Sequence, residues 1–168
     1  ENTNPDLLGF AFSESIPGSR EAAQSVIVKY SISAYTNWVF EPITGNYWRY
    51  QDTREAHEVD REAFKLLVDR GTDEPIQAEN VIVLFIPHSR PYYKHATDND
   101  PTSEIVAIEM SGTGEAILFR DGMAYRLQWI REDDTIIRIV DEHGVDFPLK
   151  PGKTWFEVVT PNTITSIV

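Results

Sequence analysis

The sequence has no cysteine. That removes disulfide bonds, thiol nucleophiles, thiolate zinc sites and iron–sulfur clusters together. It leaves the compartment open, because an exported chain can fold without disulfides as well as a cytosolic one can. No apolar run is long enough to span a bilayer, and residues 1–20 carry no signal-peptide pattern, so any targeting segment is expected upstream. Lys/Arg runs are missing too. With 27 acids against 15 Lys and Arg, the formal net charge of −12 repels nucleic acid and anionic membrane surfaces. Direct contact with an anionic membrane surface is therefore not expected.

Several catalytic signatures are absent. His57-Glu58-Val59-Asp60-Arg61 opens like a zinc-protease helix, but the second histidine four residues on is replaced by Arg61. Ser111-Gly112-Thr113-Gly114 lacks the Gly-x-Ser-x-Gly of a nucleophile elbow and reads as a turn or bulge. There is neither a P-loop nor a Gly-x-Gly-x-x-Gly. No cofactor and no metal site is expected. The oxygen-rich stretch 98–104 has Ser103 where a calcium loop wants glycine, which favours an exposed acidic turn.

What is present is β pattern. With 41% apolar residues over 168 positions, the chain can bury a core as one domain, here placed at 24–168 behind a linker-like 1–23. Val26, Val28, Tyr30 and Ile32 alternate with Lys29, Ser31 and Ser33, the period of a half-buried strand. Trp38–Glu41 and Tyr47–Gln51 flank Pro42–Asn46 as a hairpin. Val81–Ile86 is apolar on both faces, as a doubly covered strand would be. Shorter strands follow near 105–110, 115–120, 123–131, 135–141, 145–149 and 154–160, with turn residues between them. Asp121-Gly122 between two alternating runs marks a type I′ hairpin, and places Trp129 on the core face of its second strand. One helix is expected at about 53–70, from Val59, Ala63, Leu66 and Leu67 at helical spacing, with Asp52 and Glu55 as a capping box and Gly71 ending it. The expected fold class is mainly β: an antiparallel sandwich or barrel-like meander with that short helix.

Two groups of residues could carry function. His57 and Asp60 share a helix face in this reading, which suits an oriented base or half of a metal site, and equally an exposed polar pair. The loop 87–103 holds His88, Arg90, Tyr92, Tyr93 and His95, side chains able to line a pocket for an anionic or sugar ligand, though loops of this kind are often simply solvated. Trp38, Tyr47 and Trp48 could stack on sugar rings or a peptide; a sandwich core also needs such rings.

The ordered succession 28-VKYS-31, 38-WVFEP-42, 47-YWR-49, 57-HEVD-60, 80-NVIVL-84, 112-GTGEAILFRDG-122, 127-LQW-129 and 151-PGKTWFEVV-159 resembles the C-terminal domain of the YerB-like lipoproteins, a bacterial family of unknown function. The resemblance covers roughly residues 24–160, and residues 61–79 are longer and more helical than the family pattern. It implies an extracytoplasmic, lipid-anchored protein with a preceding N-terminal domain, and it supplies no catalytic residue. Its polar positions here are Arg49, His57, Asp60 and Asn80, a candidate polar cluster. The expected function is a non-catalytic binding module for an envelope protein, peptide or glycan. The alternative is an envelope hydrolase or transferase using Arg49, His57 and Asp60.

Overall fold

The computed structural model describes residues 9–15, 18, 20–31, 34–53, 63–89, 92–93, 103–104, 106–133, 135–163 and 165–168, the two pairs 92–93 and 103–104 by backbone alone. All regular elements among them are strands: β1 (Glu21–Ala22), β2 (Ser25–Ser31), β3 (Ala34–Glu41), β4 (Asn46–Asp52), β5 (Phe64–Leu66), β6 (Gln77–Ala78), β7 (Asn80–Phe85) and β8 (His88–Ser89). Then follow β9 (Tyr92–Tyr93), β10 (Ser103–Glu104), β11 (Ala107–Ile108), β12 (Gly112–Arg120), β13 (Met123–Arg131), β14 (Arg138–Val140), β15 (Thr154–Val159) and β16 (Thr165–Ile167).

Twelve of these strands form two sheets of six. One runs β1-β13-β12-β7-β15, with β14 also on β13; the other runs β16-β2-β3-β4-β5, with β6 also on β4. The two short ribbons β9–β10 and β8–β11 stand apart. The described residues form a mainly β sandwich, and no closed barrel is found among them. Val81 and Val83 of β7, Ile117 and Phe119 of β12 and Val159 of β15 pack against Val26, Val28, Trp38 and Tyr47 of the second sheet. The alternate residues Ile82, Leu84, Leu118, Tyr125, Leu127 and Trp129 form a second core on the far face, with Phe10, Phe147 and Leu149 over it. The first sheet is thus buried on both faces, which is why β7 reads as a continuous apolar run.

The hairpin at the centre follows the sequence pattern. Asp121 and Gly122 have φ of +54° and +71°, the paired positive values a type I′ turn requires. Trp129 is 1% exposed and donates its indole N–H to the Phe85 carbonyl at 3.0 Å. Gly114 lies opposite it, inside β12. A Cβ there would come within 2.5 Å of the Trp129 Nε1, so the glycine is a packing requirement and not the expected turn or bulge.

Other expectations need correction. Phe64–Leu66, within the expected helix, is a strand on the edge of β4, with Leu66 opposite Tyr50. Asp52 accepts a hydrogen bond from the Ala63 amide at 3.0 Å, and Gly71 belongs to a turn closed by Asp69. An available sheet edge overrides a local helical period. The rest of that helix, 54–62, lies outside the described residues. β15 pairs with β7 in parallel, so the sheet is mixed and not purely antiparallel. The chain between them, residues 86–153, is long enough to make that return. The strand expected near 145–149 is reduced to isolated bridges at Asp146 and Leu149. In the segment read as a linker, Glu21–Ala22 joins β13 and Phe12 bridges Leu149.

Candidate functional site

Two concave features with no lining residue in common lie on this framework. Each is built from strand alternation.

β15 presents Trp155, Glu157 and Val159 toward the second sheet. The middle residue is an acid, so a carboxylate is carried into the apolar layer, where it is 3% exposed. Its Oε1 accepts the Trp38 indole N–H at 2.7 Å, and its Oε2 accepts the Tyr30 hydroxyl. Arg49, beside Trp38 across β3–β4, stands with its Nε 3.9 Å from Oε1 and its guanidinium over the Trp155 ring, 5.2 Å from the centroid. That Nε makes no hydrogen bond. Burial pushes the Glu157 carboxyl up to about 7. The two donors and the cation favour the charged form, but a guanidinium whose Nε stands 3.9 Å away does not offset the desolvation. Burial likewise lowers the Arg49 guanidinium. Outside this cluster, Tyr30 is 41% exposed and turns its ring to a cavity of about 270 Å³ shared with His88, Val106, Val159, Thr160 and Thr163. The His88 Nε2 is buried there without a partner, while Thr160 and Thr163 bond each other at 2.9 Å.

The larger feature is a groove of about 700 Å³ between β13 and the segment 141–148. Ala124–Leu127 runs along its floor. β1 pairs with Met123 and Ala124, and β14 with Gln128–Ile130; among the described residues no named strand covers that edge between them. The Tyr125 hydroxyl is buried without a partner, and burial raises its pKa. The rim carries both signs, with Arg20 and Arg126 against Glu21, Asp141 and Glu142. Arg126 holds Glu21 at 3.1 Å, both largely exposed.

The residues expected to act fall as follows. Arg49 faces Glu157 and Trp155. Asn80 belongs to a different network: its amide donates to the Lys150 carbonyl at 2.8 Å and its Oδ1 accepts the Lys150 amide, which clips the 150–154 turn onto β7. The two do not form a cluster. His57, Asp60, Arg90 and His95 lie outside the described residues, and Tyr92 and Tyr93 are described by backbone alone, paired with Glu104 and Ser103. The acidic stretch 98–104 is also outside, apart from that pairing. Trp38 and Tyr47 are 0% exposed, the Tyr47 hydroxyl donating to the Ala23 carbonyl, which corrects their candidacy as ligand-stacking rings. Trp48, on the outer face of β4, is half-buried and its Nε1 has no partner. Among the described residues, no group of three His, Asp or Glu gathers to hold a metal. No described helix is long and apolar enough to cross a membrane.

Sequence reasoning passed over Tyr30, Glu157, Thr160, Thr163 and the groove residues. Glu157 did leave a signal: it is an acid on the apolar face of an alternating strand.

A family model described as the C-terminal domain of a protein of unknown function, DUF3048, matches residues 26–156. No curated protein matches the chain. Among solved structures, the YerB protein from Bacillus subtilis superposes with a TM-score of 0.63 at 20% identity. The match covers 94% of this chain and 46% of that one, so the chain spans about half the length of YerB.

Proposed function

The chain belongs to the DUF3048 C-terminal domain family, and from that premise we propose that it is a non-catalytic binding module of the bacterial cell envelope, extracytoplasmic and lipid-anchored in the full-length protein. Its partner is a peptide segment of an envelope component, held in the groove along β13. The observation that carries this reading is the groove itself: about 700 Å³, within the range of ligand sites, with a partnerless buried Tyr125 hydroxyl at its floor and both charge signs on its rim. A peptide brings alternating donors and acceptors in an extended line, which suits the stretch of β13 between β1 and β14. The net charge of −12 argues against nucleic acid as the partner. A hydrolase built on Arg49, His57 and Asp60 draws no support, because the Arg49 guanidinium is turned inward onto Trp155.

The test is an NMR titration of the domain with peptidoglycan stem peptides and with peptides from envelope proteins. Amide shifts are expected at Ala124–Leu127 and Asp141–Pro148, and Val145→Arg, at a position 61% exposed within the groove, is expected to remove them. Shifts elsewhere only, or none with any peptide, would sink the reading. Fractionation of the full-length protein checks the compartment: recovery in the soluble cytosol contradicts a lipid anchor.

A further inference from the structure

The cavity beside Tyr30 shares no lining residue with the groove, and its chemistry is different. Its walls combine the Tyr30 ring, Val106 and Val159 with a small set of hydrogen-bonding groups: the Tyr30 and Thr hydroxyls and the His88 imidazole. At about 270 Å³ it falls just below the size of sites for drug-sized ligands. An apolar face beside a rim of hydroxyl-binding groups is what one pyranose ring needs.

The donor set behind Tyr30 is asymmetric. Oε1 of Glu157 receives the Trp38 indole N–H, a group that can only donate, and faces the Arg49 guanidinium, which also only donates. Oε1 is therefore always an acceptor. A proton on Glu157 has one place to go, Oε2, which faces Tyr30. With Glu157 ionised, the Tyr30 hydroxyl spends its proton on Oε2 and shows the cavity only lone pairs. With Glu157 protonated, the carboxyl donates to the Tyr30 oxygen, and the phenolic proton turns to the cavity. One proton on a buried carboxyl reverses the sense of the hydrogen bond offered at the wall.

We propose that this cavity is a ligand site for a small hydroxyl-rich molecule of the size of one sugar ring, with Glu157 a positioning residue that sets whether Tyr30 accepts from it or donates to it. Burial places the Glu157 carboxyl at about 7, so both states are reached near neutral pH. The groups that face Glu157 are Tyr30 from β2, Trp38 from β3 and Arg49 from β4, with Trp155 on its own strand. His88 is the remaining titratable side chain at the cavity.

The test is a titration of the domain with N-acetylglucosamine, glucose and glycerol, followed by amide shifts at pH 6 and pH 8. Shifts from at least one sugar are expected at Tyr30, His88 and Val159–Thr163, with a several-fold change in affinity between the two pH values. Tyr30→Phe keeps the ring and the fold but removes the hydroxyl; binding is expected to weaken roughly tenfold, as for loss of one good hydrogen bond. Glu157→Gln keeps an acceptor for Trp38 and places an N–H toward Tyr30, so at pH 8 it should bind as the wild type does at pH 6, with no pH dependence. His88→Gln should keep the pH dependence. Absence of cavity shifts with all three probes overturns the site. Binding unchanged in Tyr30→Phe, or a pH profile that follows His88 instead of Glu157, overturns the role of the pair. Because the groove and cavity report through different amides, either can fail alone.

Discussion

Two buried ion clusters lie in this sandwich, and they are built to opposite standards. At the tip of the β12–β13 hairpin, Arg120 is 0% exposed and every arm of its guanidinium is engaged: Nε with Asp121 at 2.9 Å, Nη1 with the Pro148 carbonyl at 3.0 Å, Nη2 with the Ser13 carbonyl at 2.9 Å. The second oxygen of Asp121 takes Lys150 at 2.9 Å, whose ammonium also reaches the Gly45 carbonyl. Four separated chain segments are tied at one point. Arg49 and Glu157 instead stand 3.9 Å apart, with the arginine Nε unbonded and the carboxyl pushed toward neutrality. A fully satisfied buried network specifies a fold; one left partly open costs stability that a purely structural cluster would not need to lose. The open cluster reaches its cavity through the side chain of Tyr30, whereas the closed one meets the groove only through Pro148, whose backbone carbonyl Arg120 binds.

The strongest way to break the comparison is to remove Arg120. Arg120→Met keeps much of the volume but strands the Asp121 carboxylate, relieved only by Lys150, and orphans two carbonyls. A loss of about 3–5 kcal/mol is expected in chemical denaturation, the usual cost of breaking one side of a buried pair. A loss below about 1 kcal/mol would mean the two clusters do not differ in kind.

The difference between the clusters also marks what the sequence could reveal. Asp121-Gly122 and the apolar run of β7 declare themselves locally, one by turn chemistry and one by a lack of polar alternation. Trp129 follows from register alone. The edge strand β5 does not, because Leu66 and Ala63 sit at helical spacing and only the exposed edge of β4 draws that segment into the sheet. The parallel pairing of β15 with β7 is set by a return over residues 86–153, and no short window encodes it. The candidate site is harder still. Glu157 was visible as an acid out of pattern, but its partners Tyr30, Trp38 and Arg49 come from three other strands, and no spacing in the chain brings them together. Of the polar positions the resemblance pointed to, Asn80 proved to be a turn clip and Arg49 a neighbour of the carboxylate.

The two carboxyls should also respond to pH with opposite sign. Burial works to raise the Asp121 carboxyl, but the hydrogen bonds and charges of Lys150 and Arg120 together hold it below its ordinary value. A lowered carboxyl contributes stability above its unfolded pKa and loses it as pH falls through the folded value, so this cluster weakens only in acid. Glu157 is raised from 4.5 to about 7. Between those values the folded state holds the proton more tightly than the unfolded state, so its contribution is fully present below about 4.5 and is lost as pH rises through about 7. Glu157→Gln is neutral at every pH. It should match the wild type near pH 5 and exceed it at pH 8, by no more than about 3–4 kcal/mol for a shift of that size. Melting curves at the two pH values check this; a variant less stable than wild type at pH 8 would show that the charged form is well paired after all.

The smallest expected effect sharpens the comparison most, because it applies the same substitution to the other buried arginine. Arg49→Met removes a guanidinium that makes no hydrogen bond through Nε and stacks on Trp155, a contact worth about 0.5–1 kcal/mol. It also removes the cost of holding a half-desolvated cation, seen in its lowered pKa. Near pH 5.5 Glu157 is protonated, so no charge is stranded, and the melting temperature should move little. At pH 8 the carboxylate loses its only nearby cation from β4, and the variant should fall below the wild type while the Glu157 pKa climbs further. Arg120→Met, by contrast, should cost nearly the same at both pH values, since Asp121 stays ionised throughout. If Arg49→Met proved as damaging at pH 5.5 as at pH 8, the guanidinium would be holding the sheets together through packing, and the open cluster would have to be read as structural.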